Sequence, residues 1–523
     1  MSDYTLARAS LKMKVYARFW YTQARGTRYK PTSDQPLRLS IPRLLPCGSV
    51  ARVQAFSSLR VNIVHDDCYE SPLTRRLVRM GGVGYNRVSG RRSGQTGFVY
   101  CACCYLQFGT TVMDTFTLQL TTIAHGGAAL GRHEGRVIFV PYTLPGETTR
   151  VEIIEDKGRY AIARLVEVLE PSHDRVSPPC PYFGPTGCGG CQWQHVGYQA
   201  QLRFKAEIVA DQLTRIGKIA APTVHPTRPD SSGWAYRNHA QLHPVPGGGL
   251  GFRAASGDDV IPIEECPILH PLLSDLYAAL DLDFEGLLRL SLRAGTTSGD
   301  QMLIFEMEGD LPPALEIDLP VSCVLLLSNG QHANLIGHNY ITETVAGRTY
   351  RISAPSFFQV NTPQAGQLVR LVLDYLDLQG GETVLDGYCG VGLFTTHLAQ
   401  RAGLVIGIES SPAAVTDLLE NISEFDNVEV VEGPVEAVLP DLDTRFDAAV
   451  VDPPRVGVDR FALDALIERR PARLVYVSCD PATLARDAQR LTRSGYRLVK
   501  VQPVDMFPQT YHIESVALFV WGE

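Results

Sequence analysis

From Thr115 to about Glu170 apolar and polar residues alternate in short runs broken by tight turns, as in GRVIFVPYTLPGETTRVEIIE and RYAIARLVEVLE. A period of two means strands with one buried face, and several short strands at even spacing predict a small five-stranded, OB-like β-barrel. Such barrels often offer a strand face and loops to single-stranded nucleic acid. PSHDRVSPPCP then reads as a proline-rich linker. Between about 173 and 355 strands mix with helices such as QAQLRFKAEIVADQLTRIG, an α+β pattern. From 356 onward the rhythm becomes strand, helix, strand: ETVLD, LVIGIE, VEVVEG, FDAAVVD, RLVYVS, YRLVKVQPV and SVALFVW. Alternation of that kind predicts an open, mostly parallel, doubly wound α/β sheet covered on both faces. The expected division is therefore a barrel over 113–172, a middle domain over 173–355 and a Rossmann-like domain over 356–523.

Composition adds little until charge is mapped. With 523 residues, 45% apolar and 20% charged, the chain reads as an ordinary soluble, multidomain protein. Residues 93–113 lack charge, but glycines, threonines and Gln107 interrupt them, so no membrane partner is expected. No stretch has the pattern of a signal peptide, which points to the cytoplasm. Residues 1–112, however, hold 17 Lys and Arg against 5 Asp and Glu, whereas 113–523 hold 31 against 51. The first segment also lacks sustained apolar periodicity. Two readings compete for it: a disordered basic arm that touches nucleic acid, or a start site assigned too far upstream of Met113. The second is preferred, because a well-patterned sequence opens at Met113.

The chemistry concentrates in the last third. The turn VLDGYCGVGLFT, residues 384–395, joins a strand to a helix; Gly390 and Gly392 let the backbone approach a ligand, and the helix start offers free N–H groups. About twenty residues later LVIGIESS ends its strand with Glu409, a carboxylate placed to take both hydroxyls of a ribose. The loop has neither the full GxGxxG of a dinucleotide site nor the GK[ST] of a phosphate loop. S-adenosylmethionine, a nucleoside without phosphate, fits better than NAD or ATP. VVDPPRVG follows, and Asp452 before two prolines forces a stiff loop over the cofactor crevice.

LVYVSCDPATL, residues 474–484, ends a strand in Cys479 and stops it with Pro481. A buried cysteine is usually a small hydrophobe. At the carboxyl end of a sheet strand the side chain projects into the site instead, where a thiolate can attack an electron-poor carbon. DMFPQTYHIES then brings His512 and Glu514, and a carboxylate near a thiol is a candidate general base.

A second cysteine set lies upstream. CPYFGPTGCGGCQWQH supplies Cys180, Cys188 and Cys191, and IPIEECPILHP adds Cys266. Four cysteines with a C-x2-C core read as a metal or iron–sulfur site, with four-thiolate zinc the rival and disulfides disfavoured in a cytosolic chain. Cys323, in the apolar run VSCVLLLS, reads as core.

SFFQVN, LDGYCGVGLF, DPPRVG, VSCDP and DMFPQTYHIE, in this order, resemble the RNA 5-methyluridine methyltransferase family, specifically its branch with an N-terminal TRAM barrel and a [4Fe-4S] cluster. The resemblance spans about 113–523. It implies Cys479 as nucleophile, Glu514 as base, Gln359, Tyr388, Glu409 and Asp452 as cofactor contacts, and Cys180, Cys188, Cys191 and Cys266 as cluster ligands. Three departures stand out: SCDP replaces the more usual SCNP, Gly387 stands where leucine is common, and seven residues separate Cys180 from Cys188 where five is common. Leu393 occupies a position where some members have an asparagine contact.

The implied reaction is methyl transfer from S-adenosylmethionine to carbon 5 of a uridine in RNA, by a monomer. Ribosomal RNA of the large subunit (23S) comes first as target and transfer RNA second. Two alternatives were weighed: an RNA-binding iron–sulfur protein with an inactive transferase fold, and a methyltransferase for a non-RNA substrate. Because phosphate binding needs local positive charge, a basic patch is expected on the barrel and middle domain.

Overall fold

The computed structural model describes residues 115–280, 285–313 and 315–522; the basic segment 1–112 and Met113 lie outside the described residues. Strands β1 (Thr115–Ile123), β2 (Ala129–His133), β3 (Arg136–Val140), β4 (Thr148–Asp156) and β5 (Tyr160–Glu170) close into a barrel in the order β1-β2-β3-β5-β4. The alternation read from sequence turns Leu118, Leu120, Ile138, Val140 and Val151 inward, and closure leaves no open edge. Gly131 is required where β2 crosses β1, since a Cβ there would lie 2.2 Å from the Gln119 carbonyl.

The charges that bear on the expected basic patch are nearly balanced on this barrel. The described barrel carries six Lys and Arg against seven Asp and Glu between 115 and 170. Arg136, Arg150, Lys157 and Arg164 face Asp156, Glu167, Glu155 and Glu152 respectively. Two of these pairs, Arg150–Glu167 and Arg164–Glu152, join the neighbouring strands β4 and β5, where opposite charges satisfy each other. In the middle region Arg175, Arg203, Arg289, Arg348 and Arg351 are likewise paired with carboxylates.

That region opens with helix α1 (Tyr198–Arg215). Its sheet comprises β6 (His239–Pro244), β7 (Leu250–Arg253), β8 (Val260–Pro262), β9 (Leu287–Ala294), β10 (Gln301–Met307), β11 (Ser322–Leu326) and β12 (His332–Ile336), with α2 (Pro271–Ala279) between β8 and β9. The order is β12-β11-β10-β9-β6-β7-β8, and a separate hairpin pairs β13 (Tyr340–Val345) with β14 (Arg348–Ser353). Cys323 is fully buried on β11 among Leu303, Phe305 and Leu325, as core.

The C-terminal region is the doubly wound α/β fold. It runs α3 (Thr362–Leu376), β15 (Thr383–Gly387), α4 (Thr395–Ala399), β16 (Leu404–Glu409), α5 (Pro412–Asn421), β17 (Val428–Glu432), α6 (Val435–Asp441), β18 (Ala448–Val451), α7 (Arg460–Arg469), β19 (Arg473–Ser478), α8 (Pro481–Arg493), β20 (Tyr496–Val504) and β21 (Glu514–Trp521). The order is β17-β16-β15-β18-β19-β21-β20. The first five are parallel, and β21 enters antiparallel between β19 and β20. Chain order reverses between β15 and β18, and that switch point is where an open α/β sheet binds its ligand. No helix among the described residues is long and apolar enough to cross a membrane.

Candidate active site

A cavity of about 1790 Å³ opens at the switch point. A single small-molecule site commonly measures roughly 300–1,000 Å³, so this one has room for a cofactor and a nucleotide together. Gln359, Tyr388, Glu409, Asp452, Cys479 and Glu514 all line it.

Helix caps fix where several of these side chains point. Asn361, Ser411 and Asp480 each follow a cavity residue by one or two positions and accept hydrogen bonds from the first turn of the next helix. A cap contributes about 1 kcal/mol and pins the strand-to-helix turn. Asp480 accepts from Ala482 N and Thr483 N, both at 2.9 Å, so aspartate caps α8 as an asparagine would.

On one side of the cavity the glycine turn and Glu409 meet. Gly390 N donates to Glu409 Oε2 at 2.9 Å, while Ser410 N and Ser411 N donate to Oε1 at 2.8 and 2.7 Å. Tyr388 sits in the left-handed backbone region at φ 65°, anchored by its N–H to the Ile408 carbonyl at 3.0 Å. Gln359 is buried, and Asn238 Nδ2 holds its carbonyl at 3.2 Å. These atoms form a carboxylate-and-amide cradle suited to a nucleoside.

On the other side, strand register does the positioning. The β19–β21 ladder ends at the pair Ser478–Ser515, so Cys479 leaves it directly beside Glu514, close enough for the Glu514 charge to act on the thiol. Glu514 is buried, and its Oε1 has no hydrogen-bond partner. Burial first, then the charge of Asp452, holds the Glu514 carboxyl well above the usual range. Burial likewise raises Asp452. Cys479 is half-buried; burial, then Glu514 and Asp452, push its thiol up to about 12, while Arg455 pulls the other way. His512 also lines the cavity, and burial followed by the Arg455 charge lowers it to about 4, which leaves a neutral imidazole.

Sequence reasoning missed three groups here. Asp386 is fully buried, takes Thr395 Oγ1 at 2.6 Å, and is pushed to about 7, mainly by burial; its signal was the acid inside the quoted VLDG turn. Arg455 lies in the quoted DPPRVG, but nothing in its spacing announced a cation facing Cys479. Phe357, 72% exposed at the cavity wall, was hidden in an otherwise apolar motif.

The four upstream cysteines converge in loops rather than on a sheet. Cys191 packs with Tyr236 and Ile268, and Cys266 packs against that group. Cys188 is pinned through its N–H to the Tyr182 carbonyl at 2.8 Å, and its Sγ faces Gly190 N at 3.4 Å. Burial first, with the charges of the other thiols adding to it, raises Cys191 to about 12 and Cys266 to about 11, so the four lie within electrostatic reach of one another. Among the described residues no three His, Cys, Asp or Glu side chains group as they would around one metal ion. None of the seven described cysteines is in a disulfide.

Comparison with known proteins agrees with this architecture. Residues 323–520 match the family described as tRNA (Uracil-5-)-methyltransferase, and residues 109–166 match the TRAM domain. An uncharacterized RNA methyltransferase of Halalkalibacterium halodurans is 38% identical over 445 residues, covering 77% of this chain and 96% of the relative. One from Streptomyces avermitilis is 37% identical over 432 residues, covering 77% and 98%. Among solved structures, the tRNA (uracil-54, C5)-methyltransferase of Pyrococcus abyssi, in complex with S-adenosyl-L-homocysteine, superposes with a TM-score of 0.61 at 28% identity, covering 77% of this chain and 99% of that one.

Proposed function

The chain belongs to the family of S-adenosylmethionine-dependent RNA (uracil-5-)-methyltransferases, and from that premise we propose that Cys479 and Glu514 methylate carbon 5 of an RNA uridine by covalent catalysis. What supports this reading is that Cys479 and Glu514 flank the last rung of the β19–β21 ladder and line the same cavity. Gln359, Tyr388, Glu409 and Asp452 hold the cofactor. When bound there, S-adenosylmethionine supplies an electrophilic methyl group.

Carbon 5 of uracil is a poor nucleophile, so the cysteine must first activate it. The Cys479 proton is lost to water. The thiolate then adds to carbon 6, and the electron pair of the 5,6 double bond moves toward carbon 5 and O4. Carbon 5 takes the methyl group. Glu514 removes the proton from carbon 5, the carbon–sulfur bond breaks, and the double bond and the thiolate return. Splitting one hard step into easier ones is the advantage of a covalent route, and it works only where sulfur, methyl and base are held in line. The uridine must leave its stack to enter, which costs least in a loop.

The free site holds Cys479 as a thiol, because burial first, and then the acids Glu514 and Asp452, disfavour its thiolate. Arg455 is the cation that opposes them.

Cys180, Cys188, Cys191 and Cys266 fit a [4Fe-4S] cluster: four thiols around glycine turns, one buried and three half-buried, are the donor set such a cluster takes. Four-thiolate zinc is the rival occupant of the same donor set. The cluster has no part in the methyl transfer, which the thiol route completes without it. Unpaired described cysteines suit the cytoplasm, and a cavity completed within one chain suits a monomer.

The barrel and the four cysteines together favour 23S ribosomal RNA as target. Transfer RNA is the second reading, favoured by the likeness to the Pyrococcus enzyme. RNA labelled with tritium at uridine carbon 5 tests the reaction. Label released to water in step with methyl transfer is expected, from ribosomal RNA before transfer RNA; methyl transfer without release would refute carbon 5 as the target.

A further inference from the structure

Glu514 is the first residue of β21 and follows a nine-residue loop, 505–513, far longer than a hairpin turn. The rung Val504–Glu514 fixes its backbone from one side. On the other side the loop is held by the middle region. Gln192 N and Trp193 N, directly after Cys191, both donate to the Gln509 carbonyl, at 3.1 and 2.9 Å. Tyr236, packed against Cys191, donates its hydroxyl to the Pro508 carbonyl at 3.1 Å.

Gln201 on α1 closes the lock. Its Oε1 accepts Gln509 N at 2.9 Å, and its Nε2 donates to Gln509 Oε1 at 2.9 Å and to the Val196 carbonyl at 2.9 Å. One turn later Lys205 Nζ donates to Asp505 Oδ1 at 2.6 Å and to the Phe507 carbonyl at 3.0 Å. Gln201, Lys205, Asp505 and Gln509 are all buried. Gln509 sits at φ 66°, a left-handed conformation that a non-glycine residue keeps only where its surroundings over-determine it.

A fully satisfied buried network is rigid, and removing one member leaves the others unpaired in a low dielectric. The backbone leaving the four-cysteine loop is therefore wired to the segment that delivers Glu514. Resting on the reading of Glu514 as base, we infer that Gln201 and Gln509 are positioning residues for Glu514, and that the four-cysteine centre acts on catalysis by holding residues 192 and 193 against this loop. Methyl addition precedes the base step and does not use Glu514, so a loosened loop stalls the reaction at one point, after methyl transfer.

The test uses the full chain purified without oxygen. In Gln201→Leu, kcat falls by up to about 100-fold, the loss that a misplacement of about 1 Å can cause, with KM for RNA and cofactor affinity within about twofold. Ordinary uridine RNA then accumulates as a methylated covalent complex. Iron depletion of the native protein gives the same complex and raises amide exchange across 505–513, leaving the glycine turn at 387–392 protected. Native turnover in Gln201→Leu, loss of cofactor binding along with turnover, or exchange in 505–513 indifferent to iron would each overturn the inference. The underlying reading is separable: if Glu514→Gln traps no complex, the base assignment fails; if it traps one and Gln201→Leu does not, only this inference fails. Protein that carries no iron would sink the cluster assignment, and Gln201→Leu would still decide the positioning.

Discussion

The carboxyl edge of the β15–β21 sheet and the four-cysteine loop both gather reactive side chains from distant stretches of chain, but by different means. At the sheet edge the side chains arrive through strand register and capped helices, so their places are set once the backbone pairs. In the loop, Cys180, Cys188 and Cys191 arrive through turns, and Cys266 comes from the connection between β8 and α2. Those thiols would repel one another if ionised without a cation. The edge is built before its ligand binds, whereas the loop, on the proposed reading, would be kept closed by its cluster. Positions set by a ladder survive the loss of a bound group; positions set by convergent loops do not.

The sharpest separation comes from mutating each side. Cys479→Ala should lower turnover by roughly 10⁴-fold or more, since the loss of a nucleophile removes the whole covalent route, while thermal stability and cofactor affinity stay native. Glu514→Gln should cost about 10²–10⁴-fold, the usual worth of a general base, and should leave a methylated complex visible by mass. Its accumulation separates the base from the nucleophile within the same edge.

The thiol's environment gives a pH test. A Cys479 thiol near 12 is almost wholly protonated at neutral pH, so the thiolate fraction, and with it the rate of adduct formation, should rise about tenfold per pH unit from pH 7 to 9. Arg455→Met removes the one cation that lowers this thiol; single-turnover adduct formation should slow at every pH in that range. An unchanged rate would mean the guanidinium is not felt at the sulfur.

Cys266→Ser should act the other way round from Cys479→Ala. It should destabilise the middle region by roughly 4 kcal/mol or more, as loss of a metal site can, with cofactor affinity kept; calorimetry and cofactor titration read the two quantities apart. The smallest effect belongs to Asp480. Asp480→Asn keeps both cap bonds and loses only the half-exposed pairing with His125, 3.5 Å away, worth about 1 kcal/mol or less. Asp480→Ala should cost about 1 kcal/mol through the cap alone.

The same contrast explains what the sequence disclosed. All seven strands of the C-terminal sheet are legible as short runs rich in apolar and β-branched residues, and the glycine turn with Glu409 announces a nucleoside. The insertion of β21 between β19 and β20 is not, since chain order does not say which strands are neighbours; yet that insertion sets Glu514 beside Cys479. The barrel was legible from its period of two, but the carboxylate partners of Arg136, Arg150, Lys157 and Arg164 were not. The wiring from Cys191 to Gln509 was invisible for the same reason: backbone donors such as Gln192 and Trp193 leave no mark in composition.

The most direct test of the central claim is to incubate the anaerobically purified protein with S-adenosylmethionine and RNA bearing 5-fluorouridine. Fluorine cannot leave as a proton, so the account predicts a stable covalent complex, mapped by peptide mass spectrometry to Cys479 and missing in Cys479→Ala. A complex on another residue, or none with ribosomal or transfer RNA despite bound cofactor, would contradict it.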